Sequence, residues 1–242
     1  MRLNRFLARS GVASRRKCDE LVFAGKVTVN GQLADSPGRS VTPGLDRVEV
    51  EGRRITLPQQ CEYILLYKTR GCLVTRSDPN GRPTIYERVE GLRPGTVAVG
   101  RLDRDTTGAL LLTDDGELAY RLLHPRYIVY KQYEALVEGA PVPASLALLE
   151  TGVELEDGPT ARTRVSRLGE HDRGALVGIR LHEGRKHQVR RMFEAVGHPV
   201  ISLKRVEFAG LSLTRLRPGQ WRRLTLGEVR HLRRLAGLAE DP

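Results

Sequence analysis

Two apolar stretches, 96–99 and 109–113, enclose the polar run Gly100-Arg101-Leu102-Asp103-Arg104-Asp105-Thr106-Thr107-Gly108. Both stretches read as short strands, the second apolar enough throughout for a buried one. The run between them is then a loop that holds two carboxylates between two glycines. Asp114-Asp115-Gly116 turns the chain afterwards, and 117–123 has the spacing of a short helix that His124-Pro125 stops.

Toward the N-terminus, Leu3, Phe6 and Leu7 share one face of a first short helix. Ser14 is a good N-cap for a second helix, on which Cys18, Leu21 and Val22 align and which Gly25 ends. Strands at 26–29 and 32–34 flank Asn30-Gly31, a strong hairpin signal, and 46–51 is a further strand before the linker Pro58-Gln59-Gln60. Farther on, 62–67 and 71–75 are expected to pair as a hairpin across Lys68-Thr69-Arg70. A long strand at 128–137 carries Tyr133, Ala135 and Val137 on one face; 143–150 is a helix, 152–160 a strand and turn, 176–181 a strand. Val189, Met192, Phe193 and Val196 have the spacing of a helix that Gly197 and Pro199 end. Residues 236–242 carry no pattern and are expected to be a disordered tail. Strands and helices alternate without a regular long βαβ period, which predicts an α+β chain with domains at 1–58 and 59–235.

The 242 residues carry 40 Lys and Arg against 29 Asp and Glu, a formal net charge of +11, so an extended polyanion is the first partner to consider. The first 60 residues, with 11 basic and 6 acidic side chains, are the more densely basic part. Arg15, Arg16 and Lys17 open the second helix, where the helix dipole disfavours cations and a bound anion would compensate. The plainer alternative is a solvated face. Cys18, Cys61 and Cys72 are odd in number and form no C-x-x-C pair, which supports neither a disulfide framework nor a zinc site. His182-Glu183 and His187 set their histidines five apart where a metal helix needs four, so no metal is expected. No apolar run nears the roughly 20 residues that span a bilayer, and the N-terminus lacks the apolar core of a signal peptide. The chain reads as cytoplasmic and without a membrane partner.

The segment Gly100 to Leu118 resembles the G-R-L-D-x-x-T-x-G-L-L-L-L-T-x-D-G-E-L signature of the RsuA/RluB family of RNA pseudouridine synthases, with Ala109 in place of the usual Leu. Lys131-Gln132-Tyr133-Glu134 is similar to the family's K-x-Y-E strand, and residues 183–192 to its E-G-x-x-x-Q-V-[KR]-R-M motif. The closing Pro218-Gly219-Gln220-Trp221-Arg222-Arg223-Leu224-Thr225 is similar as well, whereas Tyr67-Lys68-Thr69-Arg70-Gly71 departs from the usual N-K-P-x-G. The first module resembles an S4 RNA-binding domain, in its R-L-x-x-x-L-A-x-x-G-V-A-S-R-R opening and its G-x-V-x-V-N-G hairpin.

The resemblance implies a small S4-like domain followed by a catalytic domain built on a mixed, mainly antiparallel sheet. It implies isomerisation of a uridine within ribosomal RNA: the N-glycosidic bond breaks, the uracil turns, and C5 bonds to the ribose. Asp103 is then the catalytic aspartate, acting as a nucleophile at the sugar or the ring, or as a base. Tyr133 is the active-site tyrosine, able to stack on uracil and relay a proton, and Arg190 is the basic partner of Asp103. No cofactor is implied, because no redox or phosphoryl step occurs. A base inside a helix must be flipped out, so Arg101, Arg104, Arg185 and Lys186 are expected to hold the RNA backbone together with Arg15, Arg16 and Lys17. The implied substrate is large-subunit ribosomal RNA, with small-subunit RNA as the alternative, and the expected state is a monomer.

Without the resemblance, Asp103 and Asp105 suit turn carboxylates, Tyr133 suits packing, and Arg190 suits an ordinary helix pair with Glu194. The D-T-G pattern of aspartic proteases fails at Asp105-Thr106-Thr107-Gly108 because of the extra Thr. Two other classes compete: a noncatalytic RNA-binding factor of ribosome assembly, and a nuclease using Asp103 and Asp105 with magnesium.

Overall fold

The computed structural model describes residues 1–239. Its helices are α1 (Leu3–Arg9), α2 (Arg15–Phe23), α3 (Gly116–Leu123), α4 (Pro143–Thr151), α5 (Gln188–Ala195) and α6 (Leu226–Leu235). Its strands are β1 (Val27–Val29), β2 (Gln32–Leu33), β3 (Val48–Val50), β4 (Arg53–Ile55), β5 (Tyr63–Lys68), β6 (Val97–Ala98), β7 (Thr106–Thr113), β8 (Lys131–Val137), β9 (Glu154–Leu155), β10 (Gly158–Pro159), β11 (Arg164–His171), β12 (Gly174–Leu181), β13 (Val200–Phe208), β14 (Leu211–Ser212) and β15 (Trp221–Arg223). The chain forms two compact units. One comprises Met1–Tyr63, Gly91–Val97 and Leu112–Gly116; the other comprises Ile64–Glu90, Ala98–Leu111 and Glu117 onward.

In the first unit α1 and α2 cover a sheet of order β2-β1-β3-β4. Leu3, Leu7, Cys18, Val27 and Val48 are fully buried between them. The Ser14 hydroxyl accepts from Lys17 N at 3.3 Å and so caps α2. Asn30 and Gly31 both take positive φ, 55° and 80°, which matches the twist of a two-residue hairpin. Residues from later in the chain complete this unit. A Cβ on Gly95 would lie 2.7 Å from the Arg9 carbonyl, so only glycine lets the two backbones approach. Glu62, 4% exposed, accepts from the Thr96 hydroxyl at 2.9 Å, while its own N–H donates to Asp114 Oδ1 at 2.7 Å.

Most of the second unit is a nine-stranded sheet of order β11-β12-β8-β13-β7-β5-β15, with β14 beside β13 and β6 beside β7. Its β13–β7 pair is parallel, whereas the β11–β12, β12–β8, β13–β8 and β15–β5 pairs are antiparallel. Leu110, Leu111 and Leu112 of β7 are fully buried, as an uninterrupted apolar strand requires. The mixed, mainly antiparallel α+β class is as expected.

The hairpin expected between 62–67 and 71–75 is not formed. β5 pairs instead with the distant β15, Leu66 opposite Trp221. The 71–75 segment is drawn elsewhere: Gly71 N donates to the Arg104 carbonyl at 2.8 Å and Leu73 N to the Pro83 carbonyl at 2.9 Å. β4, β11, β13 and α6 are additions that the sequence pattern does not predict. α6 begins with a capping box in which Thr225 and Glu228 satisfy each other's backbone N–H groups. Of the expected tail, 236–239 are described: Ala236 is fully buried, and Arg121 Nη1 donates to its carbonyl at 3.1 Å. Residues 240–242 lie outside the described part.

Candidate active site

The loop between β6 and β7 is shorter than its sequence suggests, because β7 already begins at Thr106. Gly108 has φ 117°, and a Cβ there would stand 2.1 Å from the Arg205 carbonyl, so the second glycine of the motif permits the close β7–β13 pair. The loop is held from beneath by Lys68, 1% exposed. Its ammonium donates to the carbonyls of Thr69 (3.0 Å), Asp103 (3.0 Å), Arg104 (3.2 Å) and Thr106 (2.9 Å). Burial pushes this ammonium down to about 8. One ammonium thus ties the main chain of Asp103, Arg104 and Thr106 to that of Thr69.

That carboxylate lines a cavity of about 730 Å³ together with Arg101, Leu102, Tyr133, Lys186, His187 and Arg205. Asp103 and Asp105 therefore part company. Asp105 pairs with Arg70 at 3.4 Å and Arg104 at 3.7 Å and is not among the cavity residues. Among the described residues no group of three His, Cys, Asp or Glu side chains is placed to hold a metal.

Tyr133 comes from β8, where it stands opposite Ile179 of β12 and Arg205 of β13. Tyr133 is 9% exposed, and its hydroxyl makes no hydrogen bond to the described residues. A stacked base would meet the ring face while the hydroxyl stays available. Lys131, two residues earlier on the same face, repeats the device of Lys68. Its ammonium donates to the carbonyls of His182 (3.0 Å) and Glu183 (2.9 Å), and burial pushes it down to about 8. Each of two cavity loops thus rests on one buried lysine.

The second loop, 182–187, leads into α5. Gln188 donates to Glu183 Oε2 at 2.6 Å and accepts from Arg185 N at 3.1 Å, which closes the turn. His187 adopts φ 50°, a left-handed conformation costly for a residue with a Cβ, and brings its Nε2 within 3.4 Å of Asp103 Oδ1. The Arg190–Asp103 pair that the sequence led us to expect is absent, a correction to that assignment. Arg190 Nη1 donates to the Val200 carbonyl at the start of β13, at 3.0 Å, and Arg190 is not among the cavity residues. The helix turns Arg190 toward a strand that the sequence pattern does not reveal.

Arg185 lines the cavity, but its guanidinium is occupied by the Gly158 carbonyl at 2.7 Å and the Pro159 carbonyl at 2.5 Å, so it ties down the β9–β10 hairpin rather than offering itself to a phosphate. Arg101 and Lys186 are exposed and line the cavity; Arg104 is exposed beside Asp105. Arg15, Arg16 and Lys17 are exposed at the start of α2. Sequence reasoning missed Arg205, which is 2% exposed and lines the cavity. Its strand, β13, is one that the sequence pattern does not reveal, so no local signal marked this arginine.

The carboxylate of Asp103, the phenol of Tyr133 and apolar walls from Leu181, Leu203 and Phe208 line a cavity with room for a nucleotide, with Arg101 and Lys186 among its lining cations. Residues 62–195 match the RNA pseudouridylate synthase family, and residues 1–46 match the S4 domain. The ribosomal large subunit pseudouridine synthase B of Bacillus subtilis (strain 168) is 44% identical over 97% of this chain and 96% of its own length. The protein of that name from Escherichia coli (strain K12) is 41% identical over 99% and 84%. A crystal structure of a pseudouridylate synthase superposes with a TM-score of 0.67 at 30% identity, covering 96% of this chain and 99% of the other. The two motifs that build the cavity walls, the S4 module and the full-length likeness agree: the chain belongs to the RNA pseudouridylate synthase family.

Proposed function

We propose that this enzyme converts one uridine of large-subunit ribosomal RNA to pseudouridine, acting as a cytoplasmic monomer. The observation that carries the reading is the convergence of Asp103 and Tyr133, from separate segments, in one cavity of about 730 Å³. The choice of large-subunit RNA draws on the names of the Bacillus subtilis and Escherichia coli relatives.

In the proposed reaction the target nucleotide leaves its stack and its base enters against Tyr133, while Arg101 and Lys186 meet the flanking backbone. Asp103 supplies the negative charge that acts at the sugar or the ring. Asp105, paired with arginines away from the cavity, takes no part. The hydrogen bonds from Lys68 to the carbonyls of Asp103 and Arg104 position the backbone that carries this carboxylate for reaction. Mapping of pseudouridine in ribosomal RNA from cells with and without the gene tests this. One large-subunit position should lose its modification; loss only from small-subunit RNA would overturn the substrate, and no change at all would overturn the function.

A further inference from the structure

One buried arginine in the cavity wall has no acidic partner. Arg205 is 2% exposed, and its Nε donates to the Ala109 carbonyl at 2.8 Å. Its Nη2 is buried and has no hydrogen-bond partner, and among the described residues no carboxylate stands within ion-pair distance of it. Its guanidinium lies 4.9 Å from the centre of the Phe208 ring, and the buried ammonium of Lys131 is close enough to be disfavoured by its charge. A buried cation with an unmade hydrogen bond costs several kcal/mol in an apolar interior, so its place in a cavity wall calls for a ligand.

We propose that Arg205 is a catalytic residue that receives a ring carbonyl of the flipped uracil and stabilises the negative charge the base carries once detached from the sugar. This rests on the proposed reaction. Breaking C1′–N1 leaves the bonding pair on uracil, spread over N1, O2 and O4, while Asp103 compensates the sugar by bonding to C1′ or by removing a sugar proton. C5 then bonds to C1′, the C5 proton is lost, N1 gains one, and charge and atoms balance. During the interval the uracil is an anion in an apolar site, where a fixed cationic donor acts most strongly. A backbone phosphate is the poorer ligand, because Arg101 and Lys186 offer it exposed cations, whereas Arg205 is buried and shares its wall with Leu203 and the fully buried Phe208.

The test compares wild type with Arg205→Met and Arg205→Lys on transcripts of both ribosomal RNAs carrying uridine or 5-fluorouridine, under single turnover. Cleavage is read as loss of the N-glycoside, since 5-fluorouridine has no C5 proton to release. With uridine, Arg205→Met should slow cleavage on the order of 100-fold with RNA affinity changed less than about threefold. With 5-fluorouridine, whose detached base holds charge more easily, the loss should shrink to about tenfold or less. Arg205→Lys keeps the cation without the fork and should fall between; it carries the same comparison if the Met variant does not fold. An equal loss on both bases, or full activity of a folded variant, would overturn the role of Arg205 while leaving the proposed function intact. Absence of wild-type product on both transcripts would overturn both.

Discussion

The Lys68 ammonium donates to the main-chain carbonyl of Asp103 at 3.0 Å, so a buried cation holds the residue proposed to react by its backbone and not by its carboxylate. Lys68→Met should destabilise the fold by about 3 kcal/mol, because the carbonyls of Asp103, Arg104 and Thr106 lose their donor, and it should lower kcat more than it changes KM. The pH dependence has a definite sign. Lys68 releases its proton near pH 8 when folded and near 10.5 when unfolded. Between those values the unfolded chain binds more protons, so wild-type stability relative to Lys68→Met should rise with pH. Urea unfolding of both proteins from pH about 7 to 10 checks this; a constant difference would contradict it.

Tyr133→Phe keeps the ring and removes a hydroxyl that no other side chain holds. Turnover should fall by about 100-fold while KM stays within a few-fold, since stacking survives and proton relay does not. A rise in KM with unchanged kcat would make Tyr133 a binding residue only.

The separation of Arg190 from Asp103 gives an opposite expectation for the arginine of the same motif. Arg190→Ala removes one hydrogen bond to the Val200 carbonyl and should cost about 1 kcal/mol of stability, with kcat within about threefold of wild type. His187→Ala removes the partner that does approach Asp103. With both side chains about half exposed, that pair contributes no more than about 1 kcal/mol, so a loss of up to about fivefold in kcat is expected. Steady-state kinetics of the two variants decide it: an Arg190→Ala loss as severe as that of Asp103→Asn would contradict the observed geometry.

The S4-like unit should contribute affinity. Replacing Arg15, Arg16 and Lys17 by Gln should raise KM, leave saturated turnover unchanged, and flatten the log–log salt dependence of binding by about 0.7 to 0.9 for each phosphate no longer neutralised. Point variants suit this better than truncation, because Met1–Tyr63 packs with Gly91–Val97 and Leu112–Gly116 in one unit. An unchanged salt slope would remove this helix start from the RNA interface.

Local signals were legible where they were locally decided. The Ser14 cap and the Asn30-Gly31 turn need only a few neighbouring residues and are where the pattern placed them, and the apolar run 109–113 lies within β7, which begins three residues earlier. Pairing across the chain was not legible: nothing near 62–67 announces Trp221 as its partner. β13 was hidden for a physical reason. Register shifts at 200–202 and 205–207 break its alternation, and Lys204, Arg205 and Glu207 give it the look of a polar connection. The site suffered accordingly. Asp103 and Tyr133 sit in motifs whose position fixes their direction, but Arg185, Lys186, Arg190 and Arg191 lie in one basic run, and sequence spacing alone did not say which of them faces the aspartate.

The most direct measurement is pseudouridine mapping of large-subunit ribosomal RNA after treatment with wild type or with Asp103→Asn, with RNA affinity measured on the same preparations. The substitution keeps the shape of the side chain and removes its charge. Wild type should modify one uridine, and the variant should modify none while binding RNA within a few-fold of wild type. Modification by Asp103→Asn at the wild-type rate would contradict the assignment of this carboxylate to the chemistry.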